Sequence, residues 1–501
     1  MHLVDVFLIL RDSLWVCLVT DALLWLLFFA FIVGLVVILR SPLQRAVWQK
    51  VFRQRMAVIS AVLLAVAALF ALLDSIHFRE PLPVVSESMD ESDDMTLGSP
   101  PSYLPVSQQP QVRYGVEVRS VLDLLLTDLR QNHEKTYSAP MALDLSALEP
   151  VTSVMPNGDI VVRREAPRLR LAGQAFPPGP VSDSAYWSDI AYRLGIGALG
   201  GLLGFVFCWF VGIGLWRLSR RSPRSEANSV ATRWVAITLG IVFIVAGVFT
   251  ALSTNFHVFG TDKVGQDVLY QVLKSLRTAL VIGLVPTLVT LPLGVVLGLA
   301  AGYFRGKVDD VIQYVYTTVS AIPGVLLIAA AVLSIQVMLD NHPEWFATAV
   351  ERGDVRLLAL CIILGMTSWT GIARLLRGES LKMREYEYVQ AAKAFGVGAG
   401  RILLRHILPN VFPIILITMV MEFSTLVLAE TVLSYIGIGV DPTMFSFGLM
   451  INNARMELSR EPVVWWTLTA AFLFMVVLVL AANLLADAVR DALDPRSERE
   501  S

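Results

Sequence analysis

The chain has 501 residues, of which 55% are hydrophobic and only 16% charged. With a positive mean hydropathy, that composition points to a bilayer rather than a water-bounded core. Its 40 basic and 42 acidic residues leave a formal charge of −2, a balance that argues against nucleic acid as a partner.

A spanning helix needs about 20 apolar residues, and nine stretches are candidates: 14–39, 56–73, 190–216, 234–253, 276–302, 311–338, 356–376, 411–436 and 464–486. The first exceeds the apolar core of a signal peptide and no small-residue cleavage site follows it, so it is expected to be retained as a span. Cys17, Cys208 and Cys361 sit in apolar runs without CxxC spacing or nearby histidines. They read as packed thiols, and no metal site is expected.

Basic residues in short connections set the orientation. Arg40, Arg45, Lys50, Arg53 and Arg55 follow the first span, and Arg217, Arg220, Arg221, Arg224 and Arg233 follow the third. Placing both loops in the cytoplasm puts the N-terminus outside, together with residues 74–189, 254–275, 339–355 and 437–463. Residues 377–410 and the C-terminus then lie inside. Arg374, Arg377, Lys382, Arg384, Lys393, Arg401 and Arg405 make the 377–410 region basic, in agreement with that side.

The 74–189 segment opens on an acidic, Ser/Pro-rich stretch, Ser86–Ser102, that reads as a solvated linker. Val116, Val118, Val121, Leu124, Leu125 and Leu129 suit a short amphipathic helix, and the turn Pro156-Asn157-Gly158-Asp159 leads into strand-like Ile160-Val161-Val162. The segment is either a small α+β domain or a loosely folded insert. Gly195, Gly197 and Gly200 match GxGxxG, but they lie inside a span with no preceding strand, a chance match. Gly294, Gly298 and Gly302 recur every fourth residue, the spacing of close helix packing.

The most informative stretch runs from Glu385-Tyr386-Glu387-Tyr388-Val389-Gln390-Ala391-Ala392-Lys393-Ala394-Phe395-Gly396 to Arg405-His406-Ile407-Leu408-Pro409-Asn410. Helix formers extend to Phe395, Gly396 can supply a left-handed C-cap, and a second amphipathic helix is expected from Ala399 until Pro409 limits it. Small residues at Ala391, Ala392 and Gly396 would admit a partner's backbone. An ordinary interfacial amphipathic helix has the same composition.

This stretch resembles the EAA loop of binding-protein-dependent ABC importer permeases, with Gln390-Ala391-Ala392, Gly396 and Leu408-Pro409 at the family's spacing. Gln390 replaces the usual Glu, and His406 with Pro409-Asn410 is similar to the dipeptide, oligopeptide and nickel branch. Further matches follow in order: Gly260-Thr261-Asp262 with Gly265 and Asp267-Val268, and Ala301-Gly302-Tyr303-Phe304-Arg305-Gly306 with Asp309. Leu433-Ser434-Tyr435-Ile436-Gly437-Ile438-Gly439 and Asp491-Ala492-Leu493-Asp494-Pro495 complete the series. Gln266, Thr317, Phe447 and Ala486 depart from the branch pattern.

The resemblance implies an all-α polytopic fold with a six-helix permease core at 230–496. Two extra N-terminal spans lie in 1–73, an extracytoplasmic insert in 74–189, and a third extra span with its cytoplasmic loop in 190–229. It implies a bacterial inner-membrane subunit that imports solute, peptides foremost, by alternating access. Gln390, Ala391, Ala392, Gly396, Arg401, His406, Leu408 and Pro409, within 384–410, would couple it to a separate ATPase. A second permease and an extracytoplasmic solute-binding protein would complete the assembly in the lipid. The Gly302–Lys307 stretch lacks the spacing and Ser/Thr of a phosphate-binding loop, and the sequence shows no HExxH and no Ser/His/Asp set. No enzyme activity or cofactor is therefore expected in this chain, ATP being bound by the ATPase subunits.

Glu422 and Glu430 fall within a span, where carboxylates face protein or a water-filled path. They are candidates for the translocation path, an interhelical bond being the other reading for Glu430. A reading from a different class is a non-transporting membrane sensor that binds a ligand through the 74–189 insert.

Overall fold

The computed structural model describes residues 13–81, 114–154, 160–176, 181–219, 226–346 and 348–493. The Ser86–Ser102 linker, the Pro156–Asp159 turn, Arg220, Arg221, Arg224 and Asp494-Pro495 lie outside the described residues. The helices are α1 (Val19–Arg40), α2 (Pro42–Val51), α3 (Arg55–Asp74), α4 (Val121–Leu125), α5 (Thr127–Gln131), α6 (Arg170–Ala175), α7 (Asp183–Ser219), α8 (Glu226–Leu252) and α9 (Val268–Leu284). They continue as α10 (Thr287–Phe304), α11 (Lys307–Ala321), α12 (Gly324–Asn341), α13 (Ala349–Arg384), α14 (Glu387–Ala394), α15 (Ala399–Ile402), α16 (Leu408–Tyr435), α17 (Phe447–Arg455) and α18 (Trp466–Leu493).

Among the described residues nine segments are long and apolar enough to cross a membrane: Val19–Val37, Arg55–Asp74, Asp183–Gly212, Val230–Leu252, Val268–Phe304, Gly324–Asn341, Ala349–Arg384, Ala399–Tyr435 and Trp466–Leu493. Each falls on one of the nine sequence candidates. The protein is an all-α polytopic membrane protein with a small mixed region at one end.

Boundaries depart from the sequence reading where local chemistry overrides hydropathy. The span expected at 311–338 is two helices, because Pro323 offers no N–H and holds Ile322 extended, at φ −84° and ψ 131°. The span expected at 276–302 starts at Val268, where Asp267 caps it by accepting from Leu269 N at 2.8 Å and Tyr270 N at 3.3 Å. It is jointed at Val285-Pro286, where Leu288 N and Val289 N bond three residues back instead of four.

Val116 and Val118 belong to a strand rather than to the expected helix. The alternation from Tyr114 to Ser120 has a strand's period of two. Ser120 then starts α4 with a reciprocal capping box to Asp123. That strand, β3 (Tyr114–Ser120), completes an antiparallel sheet with β1 (Leu14–Val16) and β2 (His77–Pro81), in the order β1-β2-β3. Val16 pairs with His77, and His77 with Ser120. A separate hairpin joins β4 (Glu149–Val154) to β5 (Ile160–Glu165).

α10 packs closely against α13 through its glycines. A Cβ on Gly294 would stand 2.8 Å from Ile372 Cγ2, on Gly298 2.6 Å from Ala373 O, and on Gly302 2.5 Å from Ser380 Cβ. The four-residue glycine repeat is therefore a packing seam, as expected. Gly197 likewise meets the α8 backbone at Gly247, while Gly195 and Gly200 face open space.

The insert is seated on the loop between α8 and α9 by main-chain bonds. Glu134 N donates to Gly265 O at 2.9 Å, Met141 N to His257 O at 2.9 Å, and Thr261 N to Ser138 O at 3.1 Å. Gly260 and Gly265 hold φ of +69° and +76° there, a conformation that costs other residues strain. Beneath the insert, the buried His257 ring has Nδ1 2.7 Å from Asp267 and Nε2 3.6 Å from Glu134. Burial alone would depress the imidazole pKa, but the two carboxylates outweigh it and push it up to about 9.

A folded pKa above the free value of about 6.5 makes this contribution complete below that pH and lost as pH rises through about 9, on the order of 3 kcal/mol in all. The thermal midpoint of the detergent-solubilised protein is expected to fall across this window. His257→Gln should flatten the decline, and a decline of unchanged size in that variant would assign it to other groups.

Candidate coupling site

The 384–410 loop is fastened from beneath by apolar contacts. Val389, Ile402 and Ile407 are buried with Leu299, Tyr303, Ile372 and Leu376, and Ala392, Val397 and Leu408 pack around them. α14 ends in a Schellman turn: Val397 N donates to Ala392 O at 3.1 Å and Gly396 N to Lys393 O at 3.0 Å, with Gly396 at φ +75°. Three polar links tie the surrounding turns together. Arg384 Nη1 donates to Tyr303 O at 2.7 Å, Arg305 Nη2 to Glu385 Oε1 at 2.6 Å, and Arg377 forks onto Asp309 at 2.6 and 2.8 Å. The Arg377 guanidinium holds the Asp309 carboxyl below its ordinary range.

The opposite face is open. Gln390, Ala391, Gly396, Arg401 and Pro409 are exposed, whereas Ala392, His406 and Leu408 are half-buried. Ala392 thus leans toward the apolar cluster rather than standing wholly on the outer face with Ala391 and Gly396. Nothing lies within 4 Å of the position a Cβ would take on Gly396. Next to it Phe395 is 88% exposed, and Leu404 is also exposed. Neither was singled out as a site residue from the sequence, although a phenylalanine between a lysine-bearing helix and a C-cap glycine is the signal that marks it.

Pro409 does not limit a second helix. α15 gives way to a π-helical turn at Leu403–Ile407, and α16 begins at Leu408 with Pro409 in its first turn. Proline is at home there because first-turn N–H groups lack helical partners in any case. The loop therefore runs without interruption into a span, and a π turn at such a junction often accompanies function. His406 stands beside Tyr388, with ring centroids 6.3 Å apart, and Asn410 Nδ2 donates to Tyr388 OH at 3.1 Å and His406 O at 2.6 Å.

Glu430 is 3% exposed and accepts from Ser434 Oγ at 2.6 Å, close under Gly448 of α17. Glu422, two turns away on α16, is half-buried. The structure does not bring the two carboxylates together with the 384–410 loop. They lie farther along α16, Glu430 toward the insert end.

Residues 294–499 match the family described as binding-protein-dependent transport system inner membrane component. The chain is 30% identical over 243 residues to the dipeptide transport system permease protein DppC of Bacillus subtilis, covering 48% of this chain and 70% of that one. It is 29% identical over 241 residues to the oligopeptide transport system permease protein OppC of Mycobacterium tuberculosis, covering 48% and 76%. For OppC of Bacillus subtilis the identity is 30% over 240 residues, covering 48% and 72%.

Proposed function

The chain belongs to the family of binding-protein-dependent transport system inner membrane components, and from that premise we propose that it is the permease subunit of an ATP-driven peptide importer, coupled to a separate ATPase through residues 384–410. The observation that carries this reading is the two-faced loop. Its inner face is pinned to α10 and α13 by Ile402 and its neighbours, while Ala391, Phe395, Gly396 and Arg401 stand open on the other. A partner seated on that face would push on the spans through a rigid contact, which is what transmission of a nucleotide-driven motion requires.

In this reading the loop end of the bundle is cytoplasmic and the insert end faces outward, where a solute-binding protein delivers its cargo. A second permease encloses the path with this chain, and ATP stays on the ATPase subunits. Glu430, accepting from Ser434 one turn on in the same helix α16 and packed under Gly448 of α17, steadies the outer mouth rather than lining an open path in this conformation.

The test is co-purification with the importer's ATPase subunit. Ala391→Arg, which overfills the open face without touching the buried cluster, is expected to cut association at least tenfold while leaving the size-exclusion profile unchanged. Undiminished association would leave 384–410 an interfacial helix and favour signalling through the insert.

A further inference from the structure

Where the extra N-terminal spans and the insert meet the core, apolar packing by Leu24, Ala67 and Ala71 is joined by one buried ionic level. Arg277 of α9 donates through Nε to Asp21 of α1 at 2.9 Å and through Nη2 to Thr20 at 3.2 Å, with Asp354 of α13 3.7 Å away. Thr20 donates to the same Asp354 from its N at 3.1 Å and from its hydroxyl. One turn along α9, Lys274 bridges Asp123 of α4 at 2.8 Å and Asp74 of α3 at 3.2 Å. α1, α3, the insert, α9 and α13 are thus joined at one level by groups that have little access to water. Buried polar networks whose members are all satisfied are stiff.

Asp354 lies near the start of α13, an unbroken helix of 36 residues from Ala349 to Arg384, so that roughly 46 Å of helix, at 1.5 Å per residue, separates it from the end at Arg384. That end lies beside the coupling loop. α10 lies along its lower part through the glycine seam, whereas α9, on the far side of the Val285-Pro286 joint, stays within the ionic level.

We infer that this ionic level is the pivot of the permease: the N-terminal spans and the insert fix the outer ends of α9 and α13, so that displacement of the coupling loop swings α13 with α10 about that end. Thr20, Arg277 and Asp354 are then positioning residues, and the Pro286 joint lets α10 follow α13 while α9 stays fixed. The inference rests on the coupling reading given above.

Spin labels test it in the complex with the ATPase subunit, after the exposed Cys17 and Cys208 are replaced by Ser. One pair, at exposed Leu125 and Val264, reports the insert end, and a second, at exposed Met56 and Val311, reports the loop end. Trapping ATP with vanadate is expected to move the loop-end distance outside its nucleotide-free distribution and leave the insert-end distance unchanged. Thr20→Val should broaden the insert-end distribution on trapping, and Thr20→Ser should restore it.

Equal movement at both ends, or a Thr20→Val protein indistinguishable from wild type, would overturn the pivot. The wild-type pairs decide the matter even where Thr20→Val fails to assemble. Absence of any complex with the ATPase would instead overturn the coupling reading beneath it.

Discussion

Arg277→Met is expected to destabilise the protein by about 3–5 kcal/mol, the range for deleting one partner of a buried ion pair. Methionine preserves much of the length and fills irregular space, so the loss reports charge more than volume. What remains is Asp21 with the His77 ring nitrogen at 2.8 Å, and Asp354 with Thr20 as its hydrogen-bond donor. Neither carboxylate can turn to water, because Asp21, Asp354 and Arg277 are all buried. The variant should melt well below wild type in detergent, read by intrinsic tryptophan fluorescence. The double variant Arg277→Met, Asp21→Asn should recover part of the loss, since replacing both members of a buried pair is far milder than orphaning one. A single variant that melts with wild type would mean water reaches the pair.

The spans were legible because a bilayer demands long apolar runs that little else produces. The loop was legible because Gly396 after a run of helix formers dictates its turn. The ion network was not, although its members carried a signal: Asp21 and Arg277 both lie inside predicted spans, where an ionisable residue announces a partner. Nothing local could pair them across 256 positions of sequence. The same limit applies to β1, whose three residues look like the start of an apolar helix until His77 and Phe78 arrive beside them. Ala392 is small enough to suit the open face. Its inward lean depends on where Val397 folds back, a tertiary fact. The π turn at Leu403–Ile407 has no sequence mark beyond Pro409, whose residue type suits the end of one helix and the first turn of the next equally well.

Two glycines in apolar helices should answer the same substitution in opposite ways. At Gly298 even the first carbon of a leucine side chain would come within 2.6 Å of Ala373 O and 3.0 Å of Leu376 Cβ. The obstructing atom is main chain, so no rotamer change relieves it and α10 must part from α13. Overpacking costs about 1–3 kcal/mol where side chains can give way, and Gly298→Leu is expected at or beyond the upper end of that range. Because α13 leads directly into the 384–410 loop, whatever fraction still folds should, under the proposed coupling, also lose association with the ATPase subunit. Gly200, in α7, has nothing within 4 Å of its Cβ position and looks outward from the helix. Gly200→Leu should shift stability by no more than about 1 kcal/mol, toward greater stability, since glycine is a poor helix former. The monodisperse fraction in fluorescence-detected size exclusion separates the two. Parity between them would mean that the α10–α13 seam is looser than its glycines require, and a helix pair that loose could not swing as one body about a fixed outer end.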